Sequence, residues 1–279
     1  MRGVFHTPYS LLPTPCAVVR LAVVDVDGCL TPGEARGWNW EALRAVGELN
    51  RCARRGEDVP AVTLCTGRQE PYVEVLMQAI GAYLPGIYEN GCGLFFPDGY
   101  RFAEHPSITA ATREALAAAR ATLQRQVVAP GVGYFQPGKE VSLTLYPLPG
   151  VSVGRLYEAV VEALCAGGRD AADRVTVQAS VSCVDVTPTG IDKGAGVRWL
   201  SEEVGCPLAD MGGIGDSISD LMFLRLVGWS AAPANAATEV RASVAYVSPY
   251  GDGDGVVDIL HRWCKDRRKV ETPCPTSTS

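Results

Sequence analysis

Histidine is scarce in this chain, with three among 279 residues, one of them at position 6. Ten cysteines are present, yet no two of them stand in a C-x-x-C pair. Cys29, Cys52, Cys65, Cys92, Cys165 and Cys183 lie scattered, several of them inside apolar segments. Zinc centres draw on close ligand pairs, so this pattern argues against one. It reads instead as reduced cysteines behaving as small hydrophobes in a cytoplasmic protein. No apolar run approaches the roughly 18 residues of a membrane-spanning helix, and mean hydropathy is only +0.07. A membrane partner is therefore not expected. Basic charge is thin as well: 25 Lys plus Arg stand against 31 Asp plus Glu, with no clustered basic face. A broad grip on a phosphate backbone is not expected, and nucleic acid is set aside as a partner. Internal repeats are absent. The opening stretch MRGVFHTPYSLLPTPCA lacks the apolar core and cleavage pattern of a secretory signal, and an irregular extension is expected over 1–17.

What remains is a chain that is 47% hydrophobic, enough for a sizeable core without disulfides or a structural metal. AVVRLAVVDV, residues 17–26, is a nearly continuous Val-rich run, as in a strand buried on both faces of a parallel sheet. Trp40, Leu43, Val46 and Leu49 then recur every three residues as a helical stripe. Val59–Cys65 reads as a second buried strand, and Tyr72, Val75, Leu76, Ala79 and Ile80 as an amphipathic helix. Ile87-Tyr88-Glu89 is a short strand, and Pro97-Asp98-Gly99 turns a hairpin between Phe95 and Phe102. The texture changes near residue 103. An Ala-rich helix over 107–128 is followed by Val141, Leu143 and Leu145 alternating with polar residues, the pattern of a strand with one face buried. A helix through Leu156, Val160 and Leu164 and two short strands around Ser180 complete this stretch. The strand–helix alternation then resumes, with a helix over 192–204, a Gly-rich strand ending at Gly215-Asp216, a helix through Leu221 and Leu224, a short strand near 244–247 and a helix near 256–263. The order predicts an α/β fold. Its Rossmann-like open parallel sheet core takes 18–102 and 183–265, with an inserted α+β cap domain at 103–182 and a flexible tail at 266–279.

Three polar clusters each follow an expected strand: Asp25-Val26-Asp27-Gly28, Thr66-Gly67-Arg68 and Gly215-Asp216-Ser217-Ile218-Ser219-Asp220. In open α/β sheets ligands bind outside the carboxyl ends of the strands, so these loops are expected to converge. Asp192-Lys193-Gly194 opens a helix and can aim a lysine at the same rim. Together they point to phosphoryl transfer. Asp25 and Asp216 offer hard oxygen ligands for one Mg²⁺. With the charge so screened, Asp25 can attack phosphorus and form an aspartyl-phosphate, while Asp27 protonates the leaving oxygen and later activates water. Thr66 and free N–H groups at helix starts can hold the remaining phosphate oxygens. Each cluster also has an ordinary reading: an Asp-x-Asp-Gly turn, a Thr-Gly turn, a solvated lysine, and a Gly-Asp-Ser helix cap. Gly251-Asp252-Gly253-Asp254-Gly255 invites a calcium-loop reading, but a single unrepeated copy reads as a flexible loop.

In order and context the clusters resemble the four motifs of the haloacid dehalogenase (HAD) superfamily of phosphatases, over residues 18–220. The insert resembles the cap of the subgroup with Cof-type sugar phosphatases, sucrose-phosphate phosphatase and archaeal-type phosphoglycolate phosphatase. Glu89-Asn90-Gly91, Thr189-Gly190-Ile191-Asp192-Lys193-Gly194, Ala234-Asn235-Ala236 and the helix start at Gly255-Val256 add to the likeness. The resemblance implies Asp25 as nucleophile and Asp27 as general acid/base. It implies Thr66, Gly67, Arg68, Asn90 and Lys193 around the phosphate, and Asp25, Asp216, Asp220 and the Asp27 carbonyl toward Mg²⁺. Cys29 stands where the family usually has Thr, and Ser219 where Asn is frequent.

The implied activity is hydrolysis of a small phosphorylated metabolite, a sugar phosphate or a 2-phosphoglycolate-type ester. A phosphomutase on the same fold, or a non-catalytic phosphometabolite-binding module, is the alternative. Selectivity is expected from cap residues, with Tyr134, Gln136, Lys139 and Ser180 as candidates; Lys139 could pair with a carboxylate such as that of phosphoglycolate, but a solvated strand lysine is the expected reading. Oligomeric state is not legible.

Overall fold

The structure, a computed structural model, describes residues 19–166 and 173–270. The expected extension at 1–17 and the last part of the expected tail, 271–279, lie outside the described residues. The chain divides into two compact units, one of residues up to 64, 76–85 and from 200 on, the other of 65–75 and 86–199.

The first unit is built on a five-stranded sheet in the order β12-β11-β10-β1-β2, parallel throughout. Its strands are β1 (Leu21–Val24), β2 (Ala61–Leu64), β10 (Met211–Ile214), β11 (Trp229–Ala232) and β12 (Tyr246–Val247). β1, β2 and β10 are buried at every position, which is why β1 and β2 read as apolar runs instead of alternating patterns. β1 lies between its neighbours with Val24 opposite both Ile214 and Leu64, so the three strands end level. β10 is Gly-rich for a packing reason. A Cβ on Gly212 would lie 2.5 Å from Trp263, and one on Gly213 would lie 2.9 Å from Phe223, so large rings occupy the space that side chains there would need. α1 (Trp40–Arg54) opens on Asn39, whose side chain accepts from the Ala42 N–H; of the expected stripe it buries Leu43 and Val46, while Trp40, in the first turn, is exposed.

β11 has no counterpart in the sequence reading, because Trp229-Ser230-Ala231-Ala232 carries no β-branched run. The expected helix through Leu221 and Leu224 is short: a 3₁₀ turn over Ile218–Asp220 leads into α6 (Leu221–Leu224). α7 (Thr238–Arg241) follows, and α8 (Asp252–Val270) starts earlier than expected and runs past residue 265. The Gly251–Gly255 stretch is thus the entry of a helix and not a loose loop. There Asp254 accepts from the Asn39 amide at 2.9 Å, and Asp252 N–H donates to Asn235 at 2.7 Å.

The second unit holds two antiparallel sheets. One has the order β3-β4-β5, from Gly86–Tyr88, Gly93–Phe96 and Arg101–Glu104, with the hairpin pairing Phe95 opposite Phe102 as the Pro-Asp-Gly turn predicts. The other runs β6-β7-β9-β8, from Gly133–Phe135, Leu143–Pro147, Val184–Pro188 and Val175–Ala179. Against it pack α3 (Ala110–Leu123) and α4 (Val153–Ala166), around Leu116, Leu123, Leu145, Leu156, Val160 and Val186. Each such side chain contributes about 1.5–3 kcal/mol by leaving water. The Ala-rich helix ends in a wider π-type turn over Gln124–Val128. Two helices have residues in both units: α2 (Glu70–Ala79) and α5 (Lys193–Val204). One expectation needs correcting here. The alternation at 141–146 predicts a solvated polar face, but Ser142 and Thr144 are buried, because Ser142 donates to Glu89 and Thr144 to Asp185.

Candidate active site

Asp25 is the first residue past β1, and its N–H still bonds the Ile214 carbonyl at 2.9 Å, so the parallel ladder fixes where its side chain begins. The chain then folds back in a tight turn: Leu30 N–H donates to Asp25, Thr31 N–H to Val26, and Gly28 N–H to Thr31. Gly28 is required at its position. It sits at φ +80°, and a Cβ there would stand 2.5 Å from Asp216 Oδ2. The first and last clusters therefore meet. Carboxylate oxygens of Asp25, Asp216 and Asp220 all lie within 4.8 Å of one another, with Asp25 and Asp220 buried and Asp216 half-buried. Asp27 is half-buried two residues beyond Asp25.

Asp220 does two jobs in this cluster. Its Oδ2 accepts from the N–H groups of Asp216 and Ser217 at 3.0 and 2.8 Å and from the Ser217 hydroxyl at 2.9 Å. That ties down the loop carrying Asp216. Ser219 pairs its hydroxyl with that of Ser217 at 2.8 Å. Three acidic groups this close repel by roughly 3 kcal/mol per pair at an effective dielectric near 20, so a cation is the natural complement. An all-oxygen, anionic donor set of this kind suits a hard divalent ion.

The second unit gathers the other expected residues. Thr66 is buried, and its hydroxyl accepts from Arg68 N–H at 3.2 Å. Backbone bonds from Thr66 to Ile87, from Glu89 to Arg68 and from Asn90 to Thr66, at 2.9–3.1 Å, lace this loop to the end of β3. The Asn90 side chain lies against Gly67. The Arg68 guanidinium covers the Tyr72 ring at 4.8 Å. Glu89, Asn90 and Gly91 all have positive φ, at 49°, 56° and 99°. Gly91 allows a close approach, since a Cβ there would fall 2.1 Å from the Asp192 carbonyl oxygen. So the start of α5 backs onto this turn, with Asp192 capping Ala195 N–H at 2.8 Å and Lys193 buried beside it. Burial first, and the Glu89 charge second, push the Tyr88 phenol and Cys92 thiol well above their ordinary ranges.

Two contacts escaped the sequence reading. Asn235 donates to the Gly28 carbonyl at 2.7 Å and to Asp252 at 3.1 Å, bracing the first loop from the far end of the chain. Glu89 is fully buried, and its carboxylate takes the N–H groups of Glu140 and Val141 and the Ser142 hydroxyl. Lys139 is not the solvated strand lysine expected of it: its ammonium donates to the Gly67 carbonyl. Of the other cap candidates, Tyr134 stacks on Tyr146 at 5.8 Å, Gln136 N–H bonds the Thr144 carbonyl, and the Ser180 hydroxyl accepts from Cys183 N–H.

The chain is similar to known proteins. Residues 162–260 match the family model for haloacid dehalogenase-like hydrolases. A phosphoglycolate phosphatase of Pyrobaculum aerophilum is 31% identical over 238 residues, covering 84% of this chain and 92% of its own. A crystal structure from Thermoplasma acidophilum superposes with a TM-score of 0.67 at 23% identity, over 88% of this chain and 98% of that one. The sucrose-phosphatase of Synechocystis, solved with sucrose and phosphate, gives 0.62 at 17% identity, over 88% and 98%. The last two share the fold. The chain belongs to the haloacid dehalogenase-like hydrolase family, as one of its phosphatases.

Proposed function

We infer that this protein hydrolyses a small phosphate monoester of the 2-phosphoglycolate or sugar-phosphate type by way of a phosphorylated Asp25. The observation that carries the reading is the meeting of buried Asp25 and Asp220 with half-buried Asp216 beyond the level ends of β1 and β10. Asp25, Asp216, Asp220 and the Asp27 carbonyl would hold a Mg²⁺, which would supply positive charge to offset the approach of a carboxylate to a phosphate dianion. Asp25 attacks phosphorus, and the ester oxygen leaves with a proton from Asp27. Asp27, now a carboxylate, takes a proton from water, which attacks the same phosphorus and returns Asp25 to its starting form. Thr66, Gly67, Arg68, Asn90 and Lys193 are assigned to the phosphate oxygens by their place in the motifs. Residues 103–182 serve as the domain that selects the ester. The P. aerophilum relative's name supports a 2-phosphoglycolate-like substrate. Eight free cysteines among the described residues suit a cytoplasmic location, and no described helix is long and apolar enough to cross a membrane.

Release of inorganic phosphate tests this reading. With Mg²⁺, 2-phosphoglycolate, a hexose phosphate and 4-nitrophenyl phosphate are offered in turn, and at least one releases phosphate over many turnovers. EDTA abolishes release, Mg²⁺ restores it, and Ca²⁺ inhibits through its looser and larger shell. Full activity in EDTA, or transfer to a second sugar position without free phosphate, would overturn the reading.

A further inference from the structure

The turn that carries Lys139 is built as a fixed fixture, not as a free loop. Glu89, fifty-odd residues upstream and fully buried, accepts from Glu140 N–H at 2.9 Å, Val141 N–H at 3.1 Å and the Ser142 hydroxyl at 2.7 Å. A carboxylate is an acceptor at both oxygens, so it can satisfy all three donors, and charge makes each bond stronger. The turn that carries Glu89 is itself bonded to the Thr66–Arg68 loop, Glu89 N–H donating to Arg68 and Asn90 N–H to Thr66. Gly138 lies against the Gln69 side chain, 3.6 Å from its Cγ to an ideal Cβ. Lys139 is left half-buried, its ammonium on the Gly67 carbonyl at the centre of that loop.

A neutral carbonyl uses little of what an ammonium offers. Lysine carries three donors and a full charge, and an anionic oxygen is the stronger partner for both. We propose that Lys139 recognises a second anionic group, a carboxylate, on the phosphate ester, and that Glu89 is the positioning residue which holds Lys139 beside the Thr66-Gly67-Arg68 loop. The inference rests on the phosphatase reading above, with that loop holding the phosphate, and narrows the substrate to an ester carrying a carboxylate close to its phosphate.

The test compares kcat/KM for 2-phosphoglycolate with that for 2-hydroxyethyl phosphate, which matches it in size but has a hydroxymethyl group in place of the carboxylate. Wild-type protein favours the carboxylate ester. Lys139→Met lowers that preference about tenfold or more, chiefly through KM, as loss of a charged hydrogen bond implies. Glu89→Gln lowers the same ratio, because one end of the amide is a donor facing donors. The double variant loses no more than Lys139→Met alone, since both changes remove one interaction. If Glu89→Gln does not fold, Ser142→Ala removes only the hydroxyl arm of the clamp and lowers the ratio by a smaller factor. An unchanged ratio in Lys139→Met, or equal losses on both esters in either variant, overturns the inference. Failure of the phosphatase reading is seen separately, as wild-type protein that releases phosphate from neither ester.

Discussion

Two places in this molecule bury carboxylates, and they do so under opposite conditions. Beyond β1 and β10, Asp25, Asp216 and Asp220 put oxygens within 4.8 Å of one another, so like charges are gathered at a cost to the fold. In the second unit Glu89 is just as buried, but its oxygens are met by two N–H groups and a hydroxyl. Burial alone therefore says little about what a carboxylate is for. The groups around it say more: Glu89 holds chain segments together, and the crowded aspartates are where a cation is proposed to bind. Asp220 belongs to both kinds, with one oxygen spent on the Asp216 loop.

The contrast breaks most visibly in activity. Asp25→Asn keeps the shape of the cluster and removes the attacking charge, so phosphate release from every ester falls below detection. Asp27→Asn alters only proton transfer, and its effect depends on the leaving group. Turnover of an alkyl phosphate drops by about 10²–10⁴. 4-Nitrophenyl phosphate instead gives a burst of nitrophenol and an accumulating acyl phosphate, read by stopped flow and acid quench. Equal losses on both esters, with no burst, would reverse the assigned roles.

Stability offers a smaller and sharper contrast, of opposite sign in the two places. Asp216→Asn relieves repulsion, so in EDTA the variant unfolds at higher denaturant than wild type, by about 1 kcal/mol. Glu89→Gln leaves buried donors unmet and costs about 1–3 kcal/mol. Urea titration of both variants in metal-free buffer checks the pair. Two losses of similar size would mean the Asp cluster is a structural network like that of Glu89.

What could be read ahead of the structure follows from how local each feature is. The run at 17–26 and the stripe from Trp40 to Leu49 carry their own periodicity, and β1 and α1 lie where it puts them. The Asp25, Thr66 and Asp216 clusters were legible because a strand end and its loop are contiguous in sequence. β11 was not, since Trp229-Ser230-Ala231-Ala232 gains its strand character from its neighbours β10 and β12. The clamp on the Lys139 turn was hidden for another reason. Glu89 and Ser142 are 53 residues apart, and nothing in either neighbourhood marks the other. Asn235 and Gly28, 207 apart, are the same case at longer range.

The central claim is that the crowded aspartates form a site for a divalent cation, and thermal unfolding of wild-type protein reads it without turnover. Binding only to the folded state at a hundred times Kd adds about 2.7 kcal/mol, which moves Tm by several degrees in a chain of this size. The account predicts that Mg²⁺ raises Tm over the value in EDTA, and that Asp216→Asn removes most of the rise. An identical Tm in Mg²⁺ and EDTA for wild-type protein, across millimolar concentrations, would contradict it.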